Sequence, residues 1–172
     1  KIWSWQGDEL VTTLVNSMNL VSVPLPLPDV LSSLSTGVVE AAYAPPLGIV
    51  ALQWNTKIKY IIDFPLAYSV GAFLIDKKQW DKVSDKDKKI VTDLADTYIS
   101  QVNEANVKDN QDALKSMKEL GVEFLSFPEK DLATAKSYRK EVLKKLTGNL
   151  FSKDALSQLE AELKNENNTS KN

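Results

Sequence analysis

The sequence predicts an α/β fold in which a parallel sheet is followed by long helices. Strand and helix patterns alternate along residues 1–66, and such alternation is typical of βαβ units with right-handed crossovers. Charge is also distributed unevenly. Residues 1–72 contain three Lys and five acidic residues, whereas residues 73–172 contain 18 basic and 18 acidic residues. The first segment should therefore be buried on several sides, and the second should be helical with solvated faces.

Four strands and three helices are predicted in the first segment. The first helix, over residues 8–18, has apolar residues at helical spacing and has Asp8 and Glu9 in its first turn, where they complement the helix dipole. The second helix opens at Pro28 and stops at Gly37. The third helix covers residues 47–56, and the strands cover residues 2–6, 20–25, 38–44 and 59–63.

The second segment is predicted to be mostly helical. Residues 67–75 (AYSVGAFLI) form an apolar strand that Gly71 bends. Ser84 and Asp87 resemble a helix start, and the helix that follows stops at Gly121. At the usual rise per residue this helix is about 50 Å long, so it should span more than one body or kink. A strand at 122–127, helices at 128–146 and 152–163 and a polar tail at 164–172 complete the chain.

The composition excludes several kinds of function. The absence of Cys and His excludes disulfides, zinc sites with the usual ligands and acid–base catalysis by His. A net charge of −2 gives no electrostatic footprint for nucleic acid. No apolar run approaches the roughly 20 residues of a membrane span. No leader precedes the first strand, so we expect either an intracellular protein or a mature or trimmed form.

The candidate binding site lies where the predicted parallel strands end. In open α/β sheets, ligands bind beyond the carboxyl ends of the strands. Asp8 and Asp29 already occupy two helix starts that would otherwise attract anions. We therefore expect this edge to hold a neutral or apolar ligand. The three strand ends, none of which contains Arg or Lys, are Trp5-Gln6-Gly7, Leu25-Pro26-Leu27 and Tyr43-Ala44-Pro45.

Core packing is the competing interpretation of the aromatic residues. Trp3 and Trp5 share one face of the strand because side chains alternate along it. Strand aromatics are usually part of the core, and this interpretation is favoured for Trp3 more than for Trp5, which is nearer the strand end. Both interpretations stay open for Tyr43. No catalytic residue is predicted, because the acidic residues Glu40 and Asp63 stand on separate strands without a visible partner.

Five stretches resemble, in order, the motifs of one protein family. The segment GVVEAAYAPPLGIVALQW (37–54) resembles the motif GVVDG-x-x-NP, and PLPLPDVLSSLSTG (24–37) resembles PMPFSEVYTALQQG. The stretches KIWSWQG (1–7), KKQWDKVSDKDKKIV (77–91) and KELGVEF (118–124) resemble KIRVPG, SKKFWDKLSPEDQKII and K-x-x-GVE. These are motifs of the TRAP-transporter substrate-binding proteins, the DctP-like family, and the resemblance covers about residues 1–127.

The resemblance implies a two-lobed periplasmic-binding-protein-like fold that closes on a ligand, of which this chain would be the C-terminal portion. The implied parts are a second α/β lobe (1–66), a crossover strand, long helix and short strand belonging or bridging to the first lobe (67–127), C-terminal bracing helices (128–163) and a disordered tail (164–172). It also implies a periplasmic location. The implied partners are a small-molecule ligand, the TRAP membrane subunits, the missing N-terminal lobe and, in some variants of the system, a helical-repeat lipoprotein.

Two positions depart from the family pattern. Members that bind organic acids have an Arg where this chain has Trp3, and an Asn where it has Ala44. Both departures remove polar groups, and the resemblance places Trp3 facing the ligand. The predicted function is a solute receptor that is not an enzyme and uses no cofactor, metal or nucleic acid. The alternative is a truncated binding or interaction module that uses the same apolar edge as a protein interface. The predicted ligand-binding residues are Trp3, Trp5, Leu27, Tyr43, Ala44 and Pro45.

Overall fold

Alternating strand and helix patterns fold into short parallel strand pairs with helices around them. The computed structural model describes residues 1–67 and 70–169. Its strands are β1 (Ile2–Trp5), β2 (Ser22–Leu25), β3 (Tyr60–Asp63) and β4 (Glu123–Ser126). Its helices are α1 (Glu9–Ser17), α2 (Val30–Thr36), α3 (Pro46–Ala51), α4 (Lys77–Trp80), α5 (Asp85–Glu119), α6 (Leu132–Leu146) and α7 (Lys153–Thr169). The predicted α/β class with parallel strands is confirmed.

The described residues divide into two compact units. The first unit contains residues 1–43 together with the described residues from 127 onward, and the second contains residues 44–126. This division differs from the boundaries expected at residues 66 and 127. Those boundaries describe the lobes of a longer protein, and they stay a prediction.

The first unit is built on the parallel pair β1 and β2. Helix α1 connects the two strands, and α6 packs against α1. Asp8 caps α1, because its Oδ1 accepts a hydrogen bond of 3.0 Å from the Val11 amide. Because α6 packs against α1, the apolar face predicted for α1 is buried by a helix from the far end of the sequence. The buried residues at this contact are Val11, Val15, Val142 and Leu146.

The second unit pairs β3 with β4 in parallel and packs α3 against α5. Ser84 caps α5: its Oγ accepts from the Asp87 amide at 3.1 Å and donates to the Asp87 carboxylate at 2.7 Å. The helix then runs for 35 residues, between the start at Ser84 and the stop at Gly121 that the sequence predicted. Gly121, with φ at +86°, provides the left-handed turn that leads from α5 into β4.

The expectation of a single four-strand parallel sheet is wrong. Residues 38–44 form only a bridge from Ala41 to Ile2, and β3 pairs with β4. Hydrophobic pattern identifies a segment that can be extended, but it does not say which strand will accept its backbone hydrogen bonds. The third helix is also shorter than expected, because Gln53 adopts a left-handed φ of +60° after α3.

The strand predicted over 67–75 is wrong for the residues that the structure describes. Residues 67 and 70–75 have no strand pairing, and residues 68 and 69 lie outside the described part of the chain. Val70, Phe73 and Leu74 are each 90% exposed. A strand exists only where a neighbour accepts its hydrogen bonds, and none of the four described strands does so here.

The C-terminal helix extends further than expected. Helix α7 continues to Thr169, through most of the segment 164–172 that was predicted as a polar tail, and residues 170–172 lie outside the described part. None of the helices in the described residues is long and apolar enough to cross a membrane.

Candidate functional site

Three aromatic rings gather where β1 ends. The Trp3 ring lies 5.1 Å from the Tyr43 ring, and it meets the Trp5 ring edge-on at 6.2 Å between centroids. Both distances are within the range of favourable aromatic pairs. The structure thus brings together three of the six predicted binding residues, and it does so at the carboxyl end of a parallel strand.

Trp3 is the buried centre of this cluster. Its side chain is 3% exposed, and its indole N–H donates a 2.9 Å hydrogen bond to the carbonyl of Leu25 on β2. On the other face of β1, Ser4 is fully buried and accepts a 2.7 Å hydrogen bond from the Ser22 hydroxyl. The structure therefore assigns Trp3 a place in the core of the first unit, behind Trp5 and Tyr43. Contact between Trp3 and a ligand stays a prediction.

Trp5 provides the accessible aromatic surface of the cluster. Its side chain is 48% exposed, although the residue lies on the same face of β1 as the buried Trp3. Gly7, with φ at +90°, turns the chain from the strand end into α1 and leaves the Trp5 indole at the rim. Tyr and Trp are enriched at interfaces, because their rings are apolar and carry one polar group.

Tyr43 connects the cluster to the start of α1. Its hydroxyl donates to Asp8 Oδ2 at 3.2 Å and accepts a weaker bond, 3.4 Å, from the Trp5 amide. The other oxygen of Asp8 accepts from Val11. Both oxygens of the Asp8 carboxylate thus have partners. Spacing along the sequence gives no sign of this link, because Asp8 and Tyr43 are 35 residues apart.

Burial raises the pKa of Tyr43, and the neighbouring Asp8 carboxylate raises this pKa further, although the Trp5 amide opposes the shift. When folding raises the pKa of a tyrosine, its protonated side chain stabilises the fold. This stabilisation is complete below the pKa of the unfolded state, about 10. That contribution is lost as pH rises through the raised pKa.

We expect Tyr43→Phe to remove this part of the alkaline loss of stability. The unfolding free energy should be measured by urea titration at several values between about pH 9 and 11. Tyr60→Phe, in the second unit, controls for the loss of a phenol. The same loss of unfolding free energy at alkaline pH in the wild type and in Tyr43→Phe would contradict the raised pKa of Tyr43.

The remaining predicted residues are not part of the ring cluster. Leu27 lies half-buried in the turn that follows β2, two residues beyond the carbonyl that accepts from Trp3. Ala44 and Pro45 belong to the second unit. There they precede α3, and Pro45 Cδ lies 3.7 Å from the position of a Cβ added to Gly48.

Lys1 is the only basic residue in positions 1–43. Across residues 1–67 and 70–169, no set of three acidic side chains could hold a metal ion.

A shallow concavity of about 510 Å³ lies elsewhere, in the second unit. It is open and is located at the amino ends of β3 and β4, where Tyr60, Leu120 and Glu123 contribute to its wall. Ligands of open α/β sheets bind at the opposite, carboxyl ends of the strands. We therefore place the candidate site at the ring cluster.

The fold is that of the periplasmic solute-binding proteins of TRAP transporters. A protein from Ochrobactrum anthropi, with its C-terminus bound in the ligand pocket, has a TM-score of 0.76 at 21% identity, over 98% of this chain and 52% of its own. A protein from a Bradyrhizobium species, in complex with galacturonate, has a TM-score of 0.75 at 22% identity, and the match covers 86% of this chain and 48% of that protein. A protein from Desulfovibrio salexigens, with bound orotic acid, has a TM-score of 0.73 at 18% identity, and the match covers 96% of this chain and 53% of that protein.

Sequence comparison identifies the family. The model of DctP, the bacterial extracellular solute-binding proteins of family 7, matches residues 5–149, and the chain therefore belongs to this family. The resemblance found in the sequence motifs is confirmed. No curated protein matches the chain. The chain spans about half the length of the solved structures that it matches.

Proposed function

We propose that the chain forms part of the solute receptor of a TRAP-type transporter, acts in the periplasm and passes a small molecule to the TRAP membrane subunits. Membership in family 7 supports the receptor role. Binding and release need no bond chemistry, so we propose no enzymatic activity. A helical-repeat lipoprotein is a further proposed partner, because an apolar ligand would suit a relay through such a protein.

We further propose that the ligand is neutral or apolar at the end that meets the ring cluster. The observation that supports this is the Asp8 carboxylate. It occupies the start of α1 and is held by the Val11 amide and the Tyr43 hydroxyl. A ligand carboxylate at this position would face another carboxylate instead of free N–H groups, which is unfavourable. The exposed Trp5 indole offers an apolar contact in its place.

This proposal separates the chain from solved structures of similar fold. The Bradyrhizobium protein is in complex with galacturonate and the Desulfovibrio protein with orotic acid, and both ligands are acids. In the first unit of this chain, we propose Trp5, Tyr43 and Leu27 as contact residues and Trp3 as the residue that supports them. Ala44 and Pro45 stay predictions from the sequence.

We expect Trp5→Ala to weaken ligand binding by at least about fivefold, because stacking on an aromatic ring contributes about 1 kcal/mol beyond the area it buries. The measurement is isothermal titration calorimetry with a panel of neutral, cationic and acidic solutes. The panel should include D-galacturonate and orotic acid as acidic probes. Trp80→Ala, in α4 of the second unit, is the matched control and should leave affinity unchanged.

A second variant tests the reason for rejecting acids. Asp8→Asn keeps an N-cap residue but removes the charge. It should therefore improve the affinity for the acidic probes relative to the neutral ligand. Tight binding of an acid by the wild type, unaffected by Asp8→Asn and by Trp5→Ala, would refute the proposed ligand class.

The alternative function, an interaction module that uses the same edge, is favoured by one observation. Nearly half of the Trp5 side chain is exposed, which also suits a protein interface. Binding of a small neutral solute that depends on Trp5 supports the receptor. Binding of no solute in the panel, together with a protein complex that Trp5→Ala disrupts, supports the module.

A further inference from the structure

Helix α6, in the first unit, has an exposed row of basic side chains. The helix contains five basic residues and one acidic residue, although the net charge of the whole chain is −2. Its apolar side is buried where α6 packs against α1. The exposed row turns away from that side, because its members are four residues apart. We name it the α6 basic face, and it consists of Lys136, Lys140 and Lys144, with the exposed Arg139 at its edge.

The charges of this face are not compensated within the chain. Lys136, Lys140 and Lys144 follow one another at about 6 Å of helix rise, and like charges at this spacing destabilise a helix. In the part of the chain that the structure describes, neither these lysines nor Arg139 forms an ion pair. The helix dipole favours basic residues in the last turn, which accounts for Lys144 but not for the other two lysines.

Helix α5 provides the contrast. Lys88, Lys89 and Lys115 each lie 2.9–3.9 Å from an acidic side chain three or four residues away. Positive charge on α5 is therefore matched locally, as is usual for a solvated helix. The α6 basic face instead keeps a net positive potential, which attracts anions from outside the chain.

An open concavity of about 460 Å³ between α6 and α7 continues the face. Lys144 and Lys153 both contribute to its wall, together with the Ser157 side chain and a single carboxylate, that of Glu160. The wall thus contains two ammonium groups against one carboxylate, and ammonium groups form charge-assisted hydrogen bonds with phosphate oxygens. This concavity suits a phosphate group.

The composition of the face favours a lipid surface over a protein partner. Protein interfaces have a core that is rich in aromatic and apolar residues and depleted in Lys. None of the large apolar side chains of α6 is exposed. A row of lysines without an apolar centre instead matches phosphates that are spread over a surface, and clusters of basic residues on a helix are typical of binding to anionic lipids.

We propose that the α6 basic face, together with Lys153, docks onto the surface of a membrane that contains anionic phospholipids. The contact is electrostatic and lies at the level of the phosphate groups, because the apolar side of α6 is already buried against α1. The proposal goes beyond the receptor function. It requires neither a solute nor the TRAP membrane subunits, so either proposal can fail alone.

Sedimentation with vesicles tests this docking. The protein should bind vesicles made from equal parts of phosphatidylcholine and phosphatidylglycerol at about 0.1 M salt, and about 1 M salt should release it, because the charges are then screened. Vesicles of phosphatidylcholine alone should not bind it. Combined Lys136→Gln, Lys140→Gln and Lys144→Gln substitutions should weaken binding by about a hundredfold, since each basic residue near an anionic surface contributes about fivefold.

The matched control removes the same amount of charge from α5. Combined Lys88→Gln, Lys89→Gln and Lys115→Gln substitutions change the net charge equally and should leave vesicle binding unchanged. Equal losses for the two triple variants, equal binding to both kinds of vesicle, or no binding to the anionic vesicles would overturn the proposal. Retention on polyglutamate without binding to anionic vesicles would also overturn it and would assign the face to an acidic protein.

A fluorescent label shows which surface meets the vesicle. The chain contains no Cys, so Ser137→Cys places one label on α6, beside Lys136. Anionic vesicles should protect this label from quenching by acrylamide several-fold. A label on Ser100→Cys, exposed on α5, is the control and should stay accessible. Equal protection at both positions, or protection at position 100 alone, would contradict docking through α6.

Discussion

Trp3→Ala is expected to lower the free energy of unfolding of the first unit by about 3–5 kcal/mol. Trp3 is 3% exposed and packs against both the Trp5 and the Tyr43 ring. Truncation removes a large apolar side chain and leaves a cavity. It also leaves the Leu25 carbonyl without its indole donor. The measurement is urea unfolding followed by circular dichroism.

The matched control is Trp5→Ala, on the same face of β1. Because Trp5 is 48% exposed, its truncation should cost less than half as much. A Trp3→Ala variant that keeps its stability but loses only ligand affinity would show that the indole is a contact residue, as the family resemblance implies. The pair of variants therefore separates a supporting role from ligand contact.

Met117→Ala is expected to lower the free energy of unfolding of the second unit by about 2–5 kcal/mol. Met117 is fully buried near the C-terminal end of α5, the helix that packs against α3. Its removal leaves a cavity that the rigid helix pair can fill only in part. Urea unfolding should be followed by intrinsic fluorescence in a Trp3→Phe/Trp5→Phe background, in which the remaining Trp residues, the buried Trp54 and Trp80, both belong to this unit.

Val107→Ala controls for the substitution itself. Val107 is 63% exposed on the same helix, and alanine is the better helix former. This variant should therefore be as stable as the wild type or slightly more stable. Equal losses for Met117→Ala and Val107→Ala would contradict the burial of Met117 in the core of the second unit.

Local chemistry made the helix starts predictable. Ser84 was identified as a helix start and Asp8 was placed in the first turn of its helix; in the structure both side chains cap the expected helices, Asp8 from the position just before α1. Gly37 and Gly121 were predicted as stops, and both adopt left-handed φ values, +74° and +86°. Capping and glycine turns depend on residues a few positions apart, so the sequence contains all the information they need.

The binding cluster was predictable only in part. Period-two alternation placed Trp3 and Trp5 on one face of a strand. Alternation alone did not distinguish the two rings, which are 3% and 48% exposed, although the position of Trp5 nearer the strand end had favoured core packing for Trp3. The Tyr43–Asp8 hydrogen bond joins residues from distant segments, and the sequence interpretation had treated Asp8 only as a helix start. Burial and long-range partners depend on packing, which pattern does not encode.

The sequence by itself determined the family, the starts of α1 and α5, and the absence of Cys and His chemistry. Tertiary structure decided that β3 pairs with β4, that residues 67 and 70–75 have no strand partner, and that α6 covers α1. The reason is physical. Helical hydrogen bonds close within four residues, whereas strand pairing and core burial need partners whose distance along the chain is unrestricted.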